Sequence, residues 1–369
     1  MLQTLMVRLD PSPKQHKLLL DTMHRFNEAC NDVAETAFFM GKANKVELHK
    51  TVYYPIRERY GLSSQLTVRA ISKVVEAYKR DKSIRPEFRP DGAIVYDPRI
   101  LTWKGLEHVS LITLEGRQLI PARIGEYQKA RMDRIKGQSD LLLVKNIFYL
   151  AAVVEVPEES PYDPVGVLGV DLGIKNLAVD SDGEIHSGEH INDVRTKSNS
   201  LKSRLQSVGT KSAKRHLKKL SGKMARFAKD VNHNISRRLI TKAKDTRSLI
   251  TIEDLEGIRS RVTVRKSQRC CINSWSFDQL RQFLSYKAIV AGVPLVLINP
   301  AYTSQEGPIC HCISRSNRPT RDEFCCICCD FSGPADNVAA TNIAARVVVN
   351  LPIVSRFFAQ AQALPFRVG

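Results

Sequence analysis

Apolar and polar positions alternate through residues 2–9, predicting a β-strand that Pro11 and Pro13 bring to an end. The spacing then becomes helical. Ser12 is placed to cap a helix with Pro13 at its first position, and Leu19, Met23, Phe26, Cys30 and Ala34 recur at helical intervals. A second helix, about 68–80, puts Val68, Ile71, Val75 and Tyr78 on one face. Pro86 and Pro90 close the helical stretch. Short alternating runs follow at 93–96, 108–114, 118–121 and 141–156, with Glu115 and Gly116 at a turn. They predict a small antiparallel sheet or barrel, which the first strand can join across the helical insertion.

Pro157, Pro161 and Pro164 mark a linker, and the pattern changes again. Residues 165–170 form an apolar strand ending on Asp171, between Gly169 and Gly173, and the chain returns through Asn176, Leu177, Ala178 and Val179. A carboxylate is thus held at the edge of a sheet core, where glycines let a backbone or a ligand come close. A long helical region over about 194–244 has Leu201, Leu205, Leu217, Leu220, Phe227, Val231, Ile235 and Leu239 on its inner face, with Gly209 and Gly222 expected to bend or break it. Residues 248–252 make a third strand, ending on Glu253 and Asp254. A helix around 275–291 and a strand at 294–298 follow. Beyond a cysteine-rich segment, PADNVAATNIAAR opens a helix with Asp336 near its N-terminus.

A chain of 369 residues with 43% hydrophobic content has room for two or three domains with real cores. Its 56 Lys and Arg against 38 acids give a net charge of +18, which favours a polyanionic partner. The excess concentrates in the long helical region, where Lys211, Lys214, Arg215, Lys218 and Lys219 are candidate contacts to nucleic-acid phosphates. The longest apolar run, 147–154, is too short for a membrane span, and no signal peptide is visible, so a cytoplasmic, nucleoid-associated protein without a membrane partner is expected.

Of nine cysteines, six crowd together: Cys310, Cys312, Cys325, Cys326, Cys328 and Cys329. In a large chain of intracellular type that grouping favours metal binding over a disulfide scaffold. Asp171, Glu253 and Asp336 offer a second donor set of hard oxygens suited to Mg2+ or Mn2+. Two such ions about 3.5–4 Å apart can clamp the attacking water and the leaving oxygen of a phosphodiester. Carboxylates of this kind under a basic surface point to a nuclease.

GVDLGIKNLAVDSDG, TIEDLEGIR and ADNVAATNIAAR resemble the three RuvC-type motifs of the transposon-encoded TnpB family, relatives of the compact type V CRISPR effectors. The likeness extends through FRPDGAIVYD and SWSFDQLRQFLSYKA. The resemblance implies an α+β multidomain fold: a wedge β-barrel (1–10 and 91–160) interrupted by a helical recognition lobe (11–90), then an RNase H-like RuvC domain (161–302 and 334–369) with a zinc-ribbon insertion (303–333). It implies a Mg2+-dependent RNA-guided DNA endonuclease with Asp171, Glu253 and Asp336 as catalytic acids. Its partners would be a guide RNA from its own element and target DNA carrying a short adjacent motif. An RNA-guided protein that binds DNA without cutting it, or a conventional transposase, is the alternative. The oligomeric state stays open.

This chain departs from the family pattern in two places. Many members carry Asn two residues after the third motif's Asp, where this chain has Asn337 followed by Val338. In the ribbon, the pattern expects two CxxC pairs holding Zn2+. Cys326 and Cys329 supply one; Cys310 matches in the other, but Gly307 replaces its partner. Cys312 or His311 could provide the fourth ligand, and Cys325 or Cys328 could shift the register.

Overall fold

The computed structural model describes residues 1–41, 43–81, 83–255 and 277–348, in two units, Met1–Pro157 and Glu158–Gly369. The end of the second motif, 256–259, and residues 275–276 of an expected helix lie outside the described residues.

In the first unit, strand β1 (Leu2–Leu9) leads into helix α1 (Pro13–Phe39) through a capping box. The Gln15 amide donates to Ser12 Oγ at 3.3 Å, and Gln15 Oε1 accepts from the Ser12 amide at 3.0 Å. Helix α2 (Lys45–Tyr60), absent from the sequence pattern, is capped by Asn44 and closed by Gly61 at φ 61°. It buries only Leu48, Val52, Ile56 and Tyr60, a stripe too sparse to stand out around Pro55. Helix α3 (Ser64–Tyr78) starts four residues before the expected one because Ser63 caps it. Its buried face is Leu66, Thr67, Ala70, Ile71, Val74 and Tyr78, which leaves Val68 and Val75 half-buried.

Strands β2 (Ile94–Tyr96), β3 (Leu101–Lys104), β4 (His108–Thr113), β5 (Gly116–Arg123), β6 (Ile135–Val144) and β7 (Ile147–Glu155) join β1 in a nearly closed, antiparallel seven-stranded sheet of order β2-β6-β7-β1-β5-β4-β3. The run 141–156 is therefore two strands of a hairpin. Lys145 and Asn146, at φ 51° and 62°, supply the left-handed pair that a two-residue turn between twisted strands requires. Phe26, Met23, Ile71, Tyr96 and Phe148 are fully buried where the helices cover the sheet. A short helix α4 (Glu126–Lys129) links β5 to β6.

The second unit is built on strands β8 (Gly166–Asp171), β9 (Asn176–Asp180), β10 (Ile185–Ser187), β11 (Ser248–Glu253) and β12 (Leu295–Ile298), ordered β10-β9-β8-β11-β12. The first three are antiparallel, whereas β8, β11 and β12 run parallel. Between β10 and β11, helix α5 (Glu189–Val208) ends at Gly209, φ 66°, and helix α6 (Lys211–Asp245) begins at the cap Thr210. Gly222 interrupts nothing. Of the expected inner face, Ile235 and Leu239 are buried, against Leu280, Leu284 and Ala288 of helix α7 (Phe277–Ala291). Leu201, Leu205, Leu217, Leu220, Phe227 and Val231 are only half-buried, because α5 and the first half of α6 stand out from the core. Short strands β13 (Glu323–Cys325) and β14 (Ser332–Pro334) pair within the cysteine segment and lead into helix α8 (Ala335–Val348).

Candidate active site

Three acids meet at one end of the second unit's sheet because of strand register and one glycine. Thr251 lies opposite Gly169 and Ile252 opposite Val170, so parallel β8 and β11 end side by side on Asp171 and Glu253. A Cβ at Gly169 would lie 2.2 Å from the Ala340 carbonyl oxygen and 2.6 Å from the Ala344 nitrogen. Only glycine lets α8 pack so close to β8 and bring its first turn, with Asp336, to Asp171.

The acids sense one another. Burial pushes the Asp171 carboxyl up to about 7, with the charges of Glu253 and Asp336 adding to the rise and Arg318 and the Leu172 amide opposing it. Glu253 is also raised, by burial, against a hydrogen bond from Thr303 and the charge of Arg346. Each flanking acid has a polar support. Thr303 Oγ1 donates to Glu253 Oε1, and Asn342 Nδ2 fixes the Thr303 carbonyl at 2.9 Å. Asn176 Nδ2 donates to Asp336 Oδ2 at 2.9 Å. Asn337 Oδ1, beside the third acid, is buried without a hydrogen-bond partner among the described residues. Asp254 is turned to other use: its carboxylate pairs with Arg281 at 3.1 Å.

Thr303, Asn176 and Arg318 had no signal as site residues. Thr303 lies 50 positions from Glu253 and Asn176 lies 160 from Asp336, so only the folded contacts reveal their roles.

The cysteine segment forms a compact knuckle. The sulfurs of Cys310, Cys326 and Cys329 lie within 4.8 Å of one another, with Cys310 Sγ 3.3 Å from Cys326 Sγ. Cys312, Cys326 and Cys328 make a second group that shares Cys326, but Cys312 is bonded to Cys328. Cys325 belongs to neither group. The Cys328 amide, followed by Cys310 and the Cys329 amide, holds the Cys326 thiol below its ordinary value, as suits a metal thiolate. Fully buried Asn317 ties the two halves together, donating to the carbonyls of Gln305 at 2.8 Å and Cys312 at 2.9 Å and accepting from the Ile327 amide at 3.0 Å.

Lys211, Lys214, Arg215, Lys218 and Lys219 are all exposed on the first half of α6, and among the described residues none has an ion-pair partner. No described helix is long and apolar enough to cross a membrane.

Residues 151–256, which carry Asp171 and Glu253, match the OrfB_IS605 family model, described as a probable transposase. Residues 277–343, which carry Asp336 and the knuckle, match the Cas12f1-like TNB domain. These two matches make the chain similar to the TnpB-like and Cas12f proteins. It is 38% identical over 97 residues to a TnpB-like protein of Methanocaldococcus jannaschii, covering 26% of this chain and 35% of that one. It is 28% identical over 228 residues to the CRISPR-associated endodeoxyribonuclease Cas12f2 of a Micrarchaeota archaeon, covering 56% and 42%. The chain spans less than half the length of these curated relatives. A solved structure of the mini-RNA-guided endonuclease CRISPR-Cas_phi3 shares its mixed α/β fold, with a TM-score of 0.57 at 12% identity over 95% of this chain and 92% of that one.

Proposed function

We propose that the chain is an RNA-guided DNA endonuclease whose reaction centre is Asp171, Glu253 and Asp336. The observation that carries this reading is the placement of three acids at two parallel strand ends and one helix start, where burial and like charge raise Asp171 to about 7. The sheet order β10-β9-β8-β11-β12 supports an RNase H-like RuvC domain over 161–302 and 334–369, with 303–333 as its ribbon insertion. The seven-stranded sheet and its three long helices support a wedge barrel with a recognition insertion.

The acids fit divalent metal: they are hard oxygen donors, held where their charge is poorly offset. Mg2+ or Mn2+ bound by Asp171, Glu253 and Asp336 would supply a metal-activated water and stabilise the leaving oxygen of the scissile phosphodiester. The chain's own residues do the positioning. Thr303 holds Glu253, Asn176 holds Asp336, and the positive charge of Arg318 partly offsets Asp171. The exposed face of Lys211, Lys214, Arg215, Lys218 and Lys219 follows a phosphate backbone through contacts that weaken as salt rises. A guide RNA from the same element reads the target by base pairing, and the protein reads a short motif beside it. The nucleoid is where such a protein would work.

The test is to purify the protein expressed with its native flanking DNA, sequence the bound RNA and challenge a matching plasmid with Mg2+. Guide-dependent cleavage that disappears in Asp171→Ala supports the proposal. Guide-dependent binding without cleavage would make the chain a DNA-binding protein, and strand joining without RNA would make it a conventional transposase.

A further inference from the structure

Gly307 precedes Cys310 by the same interval that separates Cys326 from Cys329. The fold makes that spacing spatially meaningful. A Cβ on Gly307 would lie 3.0 Å from Cys310 Sγ and 3.1 Å from Cys326 Sγ, so any side chain there would enter the sulfur cluster. Gly307 therefore stands at one corner of the site and contributes no donor to it.

Among the described residues, no fourth ligand atom lies within 4.8 Å of all three sulfurs. His311 Nδ1 bonds Glu306 Oε1 at 2.9 Å, and Arg346 Nη2 reaches the other Glu306 oxygen at 2.9 Å. Cys312 groups instead with Cys326 and Cys328, and it turns its backbone carbonyl toward the Gly307 amide at 3.0 Å. Cys325 lies in neither three-sulfur group.

We propose that the knuckle binds zinc through three protein thiolates, Cys310, Cys326 and Cys329, and leaves the fourth corner, at Gly307, to water or a small exogenous thiol. Tetrahedral zinc with four protein ligands is closed; with three it keeps an exchangeable position. This assignment stands apart from the nuclease reading, because its test reads spectra and affinities and needs no cleavage.

The test uses the full chain under reductant, reconstituted with Co2+ as a spectroscopic substitute for zinc. One equivalent of tetrahedral Co2+ is expected, with a spectrum that shifts as 2-mercaptoethanol is titrated in. Gly307→Cys should raise metal affinity at least about tenfold and abolish the response to added thiol. Gly307→Ala, whose methyl fills the corner, should lower affinity about tenfold. The double variant Cys312→Ser, Cys328→Ser should behave as wild type. A wild-type spectrum indifferent to added thiol, or loss of metal in the double variant, would overturn the assignment by placing Cys312 or Cys328 in the coordination sphere. Failure of the reduced wild type to bind Co2+ would overturn it outright.

Discussion

The second unit holds two donor clusters built on opposite principles. The carboxylates project from regular elements: β8 and β11 fix Asp171 and Glu253 through register, and α8 brings Asp336 across Gly169. The thiols project from tight turns beside a two-stranded ribbon, stitched by Asn317. Among the described residues, sets of three donors within 4.8 Å occur only among the cysteines. Neutral thiols can gather without a metal. Carboxylates gather only against repulsion or by keeping a proton, and here Thr303 and Asn176 each hold one acid through a hydrogen bond. The acidic site is thus assembled by the scaffold with its charge unspent, whereas the sulfur site is assembled by its own loops and lacks a corner.

The sharpest way to break the comparison is to remove a donor from the scaffolded site. On the proposed function, in which the three acids act as one reaction unit, Asp171→Ala should lower guide-dependent plasmid cleavage by at least about 10³-fold. The amount of co-purified RNA should be unchanged. Equal loss of RNA and cleavage would mean that Asp171 supports the fold rather than the chemistry. Next in size is the scaffold itself. Gly169→Ala drives a methyl into the α8 backbone and should cost about 3 kcal/mol of stability, read from urea melts of the second unit's transition. A neutral Gly169→Ala would show that α8 is not held against β8 by this contact.

The two clusters also differ in how far the sequence revealed them. Each acid could be placed because a strand end or a helix start is a local pattern: 165–171, 248–253 and 335–348 carry their own apolar periodicity. Gly169 was visible as a glycine beside an acid, but the backbone that needed it was not. Thr303, Asn176 and Arg318 act through contacts distant in sequence, so no window of the chain contains their reason. In the sequence hairpin β6–β7 looks like one run because Lys145 and Asn146 lack the glycine that usually marks such a turn. Helix α2 leaves little signal in the sequence because the four buried residues spaced along it make a thin stripe. In the knuckle, the sequence showed which cysteine position had become Gly307, but the geometry was needed to show that the gap faces the sulfurs.

Burial and, after it, like charge in the acidic site have a pH signature. Asp171 titrates near 7 in the folded chain, against an ordinary value of 3.8. Between these values the folded state keeps a proton that the unfolded state has lost, so the stability of metal-free protein falls as pH rises through that window. Asp171→Asn removes the charge without changing the volume. It should stabilise the metal-free protein by about 2–3 kcal/mol at pH 8 and by almost nothing at pH 4, as measured by urea melts at both values. Equal effects at the two pH values would show that the gain comes from packing and not from relief of charge.

The smallest expected effect tests whether the ribbon side of the unit helps to position the acids. Thr303 begins the segment that runs into the knuckle, and its hydroxyl holds Glu253 while Asn342 fixes its carbonyl. Its hydrogen bond opposes the burial that raises Glu253. In Thr303→Val the carboxyl should therefore rise further, so half-maximal Mn2+ binding shifts to higher pH and affinity at neutral pH falls about tenfold, the loss of roughly one hydrogen bond to a charged group. Thr303→Ser keeps the hydroxyl and should restore both readings. If serine is impaired and valine is not, the methyl group matters and the hydroxyl does not, and the two donor clusters are independent neighbours. If only serine rescues, Glu253 is set by a residue that belongs structurally to the ribbon, and the acidic site depends on the loop-built part of the unit as well as on its sheet.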